Sequence, residues 1–274
     1  MKRVAIFSII LAFFIALGFF IFIWEKKQNN PSQEQLQEKI LQKESKTASL
    51  ETMEKAKIAI TTVYDNYQAN PELKTGWGFS CLVKTADKNI LFDTGADSET
   101  LLSNMGKMGI DPDEIDFIFI SHLHKDHTGG LAVILKIKPS LQVYKPESFS
   151  GPTQVINGVW TTGPLGDSTK EQSLIINSDQ GLIIITGCAH PGVVNIIKKT
   201  KEMFPNENIY LVLGGFHLFD ASDFELKTII NDFQKLGVQK VAPCHCSGDK
   251  CRELFKQEYK ENFIKNGVGK IIEI

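Results

Sequence analysis

Residues 121–130 read Ser121-His122-Leu123-His124-Lys125-Asp126-His127-Thr128-Gly129-Gly130. Directly before them, Ile115–Ile120 is an apolar, β-branched run that predicts a strand. Three imidazoles and one carboxylate then fall within six residues. Packing does not call for such a cluster, whereas neutral imidazole and carboxylate are the borderline donors that bind Zn²⁺ and similar ions. In an extended stretch alternate side chains share a side, so His122 and His124 point the same way. Asp126 and His127, past the turn, are placed to serve a second ion beside the first. Gly129 and Gly130 let the backbone turn tightly into a helix. The competing interpretation is a solvated polar loop.

Working outward, the chain has three more histidines, His190, His217 and His245, and each also follows the end of a predicted strand. The strands read as Ile58–Val63, Cys81–Lys84, Asn89–Phe92, Ile115–Ile120, Leu141–Tyr144, Leu174–Ile176, Leu182–Thr186, Ile209–Leu213, Val238–Ala242 and Val268–Ile272. Helical patterns lie at Ser98–Met108, Gly130–Lys138, Val193–Phe204, Phe224–Leu236 and Lys250–Asn266. The first half is strand-rich and the second alternates strand and helix. That predicts two sheets with helices outside, one layered α/β domain over residues 57–274. In such folds ligands bind at strand ends and in the loops after them.

The pattern His-x-His-x-Asp-His followed by Gly-Gly resembles the signature of the metallo-β-lactamase superfamily. The resemblance runs on through Leu91-Phe92-Asp93-Thr94-Gly95, Thr186-Gly187-Cys188-Ala189-His190-Pro191-Gly192 and Pro243-Cys244-His245-Cys246, in the family's order. The flavour of these motifs, with Gly214-Gly215-Phe216-His217, is similar to the branch labelled 7,8-dihydropterin-6-yl-methyl-4-(β-D-ribofuranosyl)aminobenzene 5′-phosphate synthase. The family implies a four-layer αββα sandwich. One fold of this kind hosts many chemistries, so the label is a weak guide to substrate.

Carried over residue by residue, the resemblance implies one divalent ion on His122, His124 and His190, and a second on Asp126, His127 and His245. Zinc is the first candidate, with manganese or iron accepted by the same donors. A water or hydroxide between the ions would be the nucleophile, with Asp126 beside it. Asp93 would hydrogen-bond a ligand histidine and fix its tautomer, or form a plain Asp-Thr-Gly turn. One departure stands out. Many members with two ions have a bridging aspartate where this chain reads Leu213-Gly214-Gly215-Phe216-His217-Leu218, and the nearest carboxylates are Asp220 and Asp223. His217 is then a general acid for the leaving group, a substrate contact or a metal ligand. Trp77 and Phe79, in Gly76-Trp77-Gly78-Phe79, would stack on a flat substrate near the site mouth or form a core edge. The segment Ser148–Lys170 reads as part of the substrate rim.

The five cysteines leave at least one unpaired within the chain. Cys246 could help hold metal, or pair with Cys251 in an exported body; Cys188 and Cys81 read as packing residues.

Residues 4–24 are an apolar run, VAIFSIILAFFIALGFFIFIW, without a charge. At about 1.5 Å per residue they span about 31 Å, the hydrocarbon thickness of a bilayer. No small-x-small cleavage pattern follows, so the run reads as an uncleaved single-pass anchor rather than a secretory signal. The small excess of positive charge before it favours a cytoplasmic N-terminus and an extracytoplasmic body. Residues 25–56, rich in Gln, Glu and Lys, read as a polar linker. A net charge of −2 argues against a dedicated nucleic-acid binder. The expected protein is a membrane-anchored hydrolase cutting an ester or phosphodiester in a small molecule, phosphate-bearing substrates included. The alternatives are a catalytically weak metal-binding or ligand-sensing module on the same fold, and a redox member with a di-iron site.

Overall fold

A computed structural model of the protein describes residues 58–274. The apolar run 4–24 and the linker 25–56 lie outside the described residues. No helix among the described residues is long and apolar enough to cross a membrane.

Along the chain the elements are β1 (Ala59–Tyr64), β2 (Ser80–Lys84), β3 (Asn89–Phe92), α1 (Ser98–Lys107), β4 (Phe117–Phe119), α2 (Lys125–Thr128), α3 (Leu131–Ile137), β5 (Gln142–Tyr144), β6 (Thr153–Ile156), β7 (Val159–Thr161), β8 (Leu174–Ser178), β9 (Gly181–Thr186), α4 (Val193–Met203), β10 (Ile209–Gly215), α5 (Asp223–Lys235), β11 (Val238–Cys244), α6 (Asp249–Tyr259) and β12 (Ile271–Glu273). They build two six-stranded sheets, ordered β12-β1-β2-β3-β4-β5 and β11-β10-β9-β8-β7-β6. The strands that lead into the histidine-bearing loops are paired in parallel: β4 with β3 and β5, and β10 with β9 and β11. Parallel pairing aligns their C-terminal ends, so the loops that follow gather on one edge of the sandwich.

These strands are apolar on both faces because both faces are covered. Ile183 and Ile185 of β9 and Leu211 and Leu213 of β10 enter the core between the sheets, where they meet Ile90, Phe92, Phe117 and Phe119. Their neighbours Ile184 and Val212 face outward onto Val193, Ile196 and Ile197 of α4 and Leu226, Ile230 and Phe233 of α5. On the other sheet, Leu91 and Ile118 face outward onto Leu101 and Met105 of α1 and Ile134 of α3. The layers are therefore helix, sheet, sheet, helix. Caps set the helix starts: Asp97 accepts from the Thr100 amide at 2.8 Å, and Ser222 and Glu225 form a capping box.

Two elements differ from expectation. Much of Ser148–Lys170 is the hairpin β6–β7, an antiparallel extension of the second sheet, and only its later part reaches the site. The helix expected over Lys250–Asn266 ends at Tyr259, because Lys260 turns left-handed (φ 51°) and the chain swings back to hydrogen-bond Ile264 N–H to the Val241 carbonyl.

Phe119 ends β4 just ahead of the histidine loop, fully buried and stacked on Phe92 with centroids 5.6 Å apart. Phe119→Ala should lower unfolding free energy by about 3–5 kcal/mol in a denaturant titration, and a loss under about 1 kcal/mol would contradict this packing.

Candidate metal centre

The loop after β4 is laid against the loop after β3. Thr94 donates its amide and its hydroxyl to the His127 carbonyl, at 2.8 and 3.0 Å. Gly129 is required here, since a Cβ would come within 1.9 Å of the Ala96 carbonyl oxygen. Gly187 is likewise pressed onto Ser121, whose Oγ would lie 2.0 Å from an added Cβ. Five described non-glycine residues adopt positive φ, and four of them, Asp93, Ala189, His217 and His245, line this edge. Strain concentrated in one place marks a geometry that the surroundings hold against local preference.

The structure brings all six histidines together. His122, His124 and His190 form one group of potential ligands, and Asp126, His127, Cys188 and His245 another. His122 Nε2 is 3.1 Å from His124 Nδ1, and His127 Nε2 is 3.2 Å from His245 Nε2. Asp126 Oδ2 lies 3.4 Å from His245 Nε2 and 3.8 Å from His127 Nε2.

Four rings are tied from behind through Nδ1. The His190 partner is Glu171 at 2.8 Å, the His127 partner Asp93 at 2.7 Å, the His245 partner Asn66 at 3.2 Å, and the His122 partner Ser121 Oγ at 2.9 Å. Ser121 Oγ in turn donates to Asp93 at 2.6 Å, so Asp93 orients two rings at once. With each Nδ1 proton facing outward, the Nε2 lone pairs face the centre. Burial, reinforced by the neighbouring imidazoles, pushes His122 and His127 down to about 3, so both rings are neutral donors. His245 behaves differently: burial works against its charge, but a hydrogen bond to Asp126 and the neighbouring Cys246 and Asp65 outweigh it and raise its pKa, and the same hydrogen bond outweighs burial at Asp126 and holds that carboxyl below its usual range. Once His245 gives up the proton it shares with Asp126, the imidazoles and the ionised carboxylate converging here are the donor set a divalent cation needs.

His124 and His217 are the exposed members, at the mouth. His217 stacks near His190, centroids 4.6 Å apart, and the Cys246 side chain hydrogen-bonded to it raises its pKa. A cavity of about 470 Å³ opens beside His124, between Leu123, Pro146, Pro164 and Lys170. A second, also about 470 Å³, opens beside His217, lined by Phe219, Ala221 and Phe224. Half-exposed Trp77 lies beside the second, its ring 5.0 Å from His245 and 6.4 Å from Phe219.

Phe79 does not share that place. It is fully buried in the core edge-on to Phe92, because its strand-entry position points inward, and only its backbone N–H reaches the site, donating to the Asp126 carbonyl. The cysteine expectations also change. All five cysteines are free thiols; Cys251 faces the outer core of α6 while Cys246 faces Cys188 and His217. The thiol that joins the ligand groups is Cys188, not Cys246.

Glu171 was not anticipated. Fully buried, it accepts from the amides of Gly187, Cys188, Ala189 and His190 as well as from the His190 ring. Next to it, Gln172 donates its amide to the Ser121 carbonyl and its side chain to the Ile120 carbonyl. The segment before β8 thus joins the two histidine loops. No spacing rule connects Glu171 to His190, and along the sequence it is one of two acidic residues, with Asp167, in a polar stretch.

Comparison with known proteins agrees with this geometry. Residues 78–197 match the family model of the metallo-β-lactamase superfamily. The 7,8-dihydropterin-6-methyl-4-(β-D-ribofuranosyl)-aminobenzene-5′-phosphate synthase of Methanocaldococcus jannaschii is 30% identical, over 79% of this chain and 96% of the relative. The chain belongs to the metallo-β-lactamase superfamily, a family of metal-dependent enzymes. The crystal structure of Tm1679, a metal-dependent hydrolase of the β-lactamase superfamily, superposes with a TM-score of 0.69 at 28% identity, covering 79% of this chain and 99% of that one. The metallo-β-lactamase fold protein YhfI from Bacillus subtilis shares the fold, with a TM-score of 0.59 at 16% identity, covering 80% of this chain and 100% of that one.

Burial would push Glu171 up, but its hydrogen bonds with the His190 ring and with the backbone amides outweigh it and hold the carboxyl at about 2, below its ordinary 4.5. A depressed carboxyl stabilises the fold above its unfolded value, and the benefit is lost as pH falls toward 2. Glu171→Gln should therefore cost about 2–4 kcal/mol at neutral pH and flatten the acid limb of the stability curve. An unchanged acid limb would show that the carboxylate does not carry this load.

Proposed function

We propose that this protein is a metal-dependent hydrolase of small-molecule esters or phosphodiesters, carried on a membrane anchor at residues 4–24. The observation that supports it is the convergence of inward-facing ring nitrogens, four of the rings backed by an outward hydrogen bond, at a mouth with two cavities. His122, His124 and His190 hold one cation and Asp126, His127 and His245 a second. Divalent cations held there, zinc first among those such donors accept, supply Lewis acidity and acidify water toward neutrality. Asp126, partly exposed, accepts a hydrogen bond from the attacking water and aims it. His217, at the open side, donates a proton to the departing oxygen. Trp77 and the cavity walls hold the body of the substrate.

The relative from Methanocaldococcus jannaschii is named a synthase, and its product carries a phosphate. That name supports a second reading, in which the same electrophilic centre makes a bond at a phosphate-bearing substrate.

His122→Ala combined with His124→Ala should abolish metal at the first position and take turnover of bis(p-nitrophenyl) phosphate and p-nitrophenyl acetate to background. Full metal content in that variant would sink the ligand assignment. Full metal content in the unaltered protein without turnover on any ester would favour the binding-module alternative. His217→Ala should lower kcat about 10²–10⁴-fold for an alkyl leaving group, the usual worth of a general acid. It should change little for p-nitrophenolate, which departs without a proton. Equal loss on both would remove the acid role.

A further inference from the structure

The segment Leu213–Leu218 offers no carboxylate to the centre, yet the second group of donors has a fourth member. Cys188 Sγ lies 3.2 Å from His127 Nε2 and is buried. Asp126, His127, Cys188 and His245 place one donor atom each within 4.8 Å of one another. We infer that Cys188 is the fourth ligand of the second metal position, which it closes, leaving the three-histidine position as the open one. This rests on the metal-dependent reading above.

The distances support a tetrahedron. Zinc with nitrogen or oxygen at about 2.05 Å and sulfur at about 2.3 Å sets donor pairs about 3.3–3.6 Å apart. Four of the six pairs here are 3.2, 3.2, 3.4 and 3.8 Å, for His127–His245, His127–Cys188, His245–Asp126 and His127–Asp126, and the remaining two, from Cys188 to Asp126 and to His245, lie within 4.8 Å. Cys188 also has His190 and His217 within reach, but those rings lie on the more exposed side, and the short contact is to buried His127. Its backbone is fixed as well, since the Cys188 amide donates to Glu171 at 3.0 Å.

The two positions then differ in kind. The first has three imidazoles, with exposed His124 and with His217 beside it, which leaves a coordination place facing the mouth. The second has four protein donors and none to spare, the arrangement of a site that holds its ion rather than exchanging it. A thiolate there favours zinc or cobalt over manganese. The thiol yields its proton to solvent when the ion binds. Without the bridging carboxylate, the two charges are moderated by a thiolate that belongs to one of them.

Cobalt(II) titration of the full-length protein in detergent tests this. We expect two Co²⁺ per chain and a near-ultraviolet thiolate-to-cobalt charge-transfer band that saturates with one equivalent. Cys188→Ser should lose the band and bind one Co²⁺. Cys188→Asp should restore the second Co²⁺ without the band, which separates loss of a ligand from loss of the fold. Cys246→Ser should keep the band. A band that persists in Cys188→Ser, or two Co²⁺ bound to the unaltered protein with no band, overturns the assignment while leaving the metal reading standing. No Co²⁺ bound at all overturns both.

Discussion

The Glu171 carboxylate accepts five hydrogen bonds in a place closed to solvent, three on one oxygen and two on the other. An ionised carboxylate survives burial only when donors replace its water. Here the donors are the successive amides of the turn after β9, so the charge and the turn stabilise each other. The turn fixes where Cys188 points and which nitrogen of His190 faces the centre. Asp93 orients the other loop, accepting from the Ser121 amide, the Ser121 hydroxyl and His127, although here burial outweighs these partners and pushes the carboxyl up to about 8. Two buried carboxyl groups behind the rings therefore orient the rings in front of them. Converging lone pairs repel unless a cation lies among them, so the arrangement stores a binding site at some cost to the fold.

The sandwich makes this arrangement affordable. Parallel strands β3, β4, β9, β10 and β11 end along one edge of two sheets whose inner faces share one apolar core. The loops are thereby held by rigid elements on either side, and side chains from distant parts of the sequence meet within about one ligand shell. Asn66 and His245 lie at opposite ends of the domain's sequence, yet they hydrogen-bond because β1 and β11 bring their ends together.

Much of this is readable along the chain. Alternating apolar residues in Ile183-Ile184-Ile185 and Leu211-Val212-Leu213 serve two covered faces, and an unbroken apolar strand says as much. His122 and His124 share a side because strand geometry demands it, and Gly129 marks a turn that admits no Cβ. What was not readable depends on contacts across the fold. Glu171 carries no motif, and its partners are set by the path of the segment before β8. Phe79 looks like an exposed aromatic beside Trp77, two residues away, but it lies at the entry to β2 and is buried against Phe92. The hairpin β6–β7 lies in a Gly-, Thr- and Pro-rich stretch whose strands are too short to show a period. Cys188 reads as a packing residue until the turn around Glu171 directs its sulfur toward His127.

Anomalous diffraction at the zinc edge, from crystals of the protein grown with zinc, tests the central claim most directly. The account predicts two peaks, one enclosed by His122, His124 and His190 and one by Asp126, His127, Cys188 and His245. No peak at either place, or zinc held elsewhere on the chain, would contradict it.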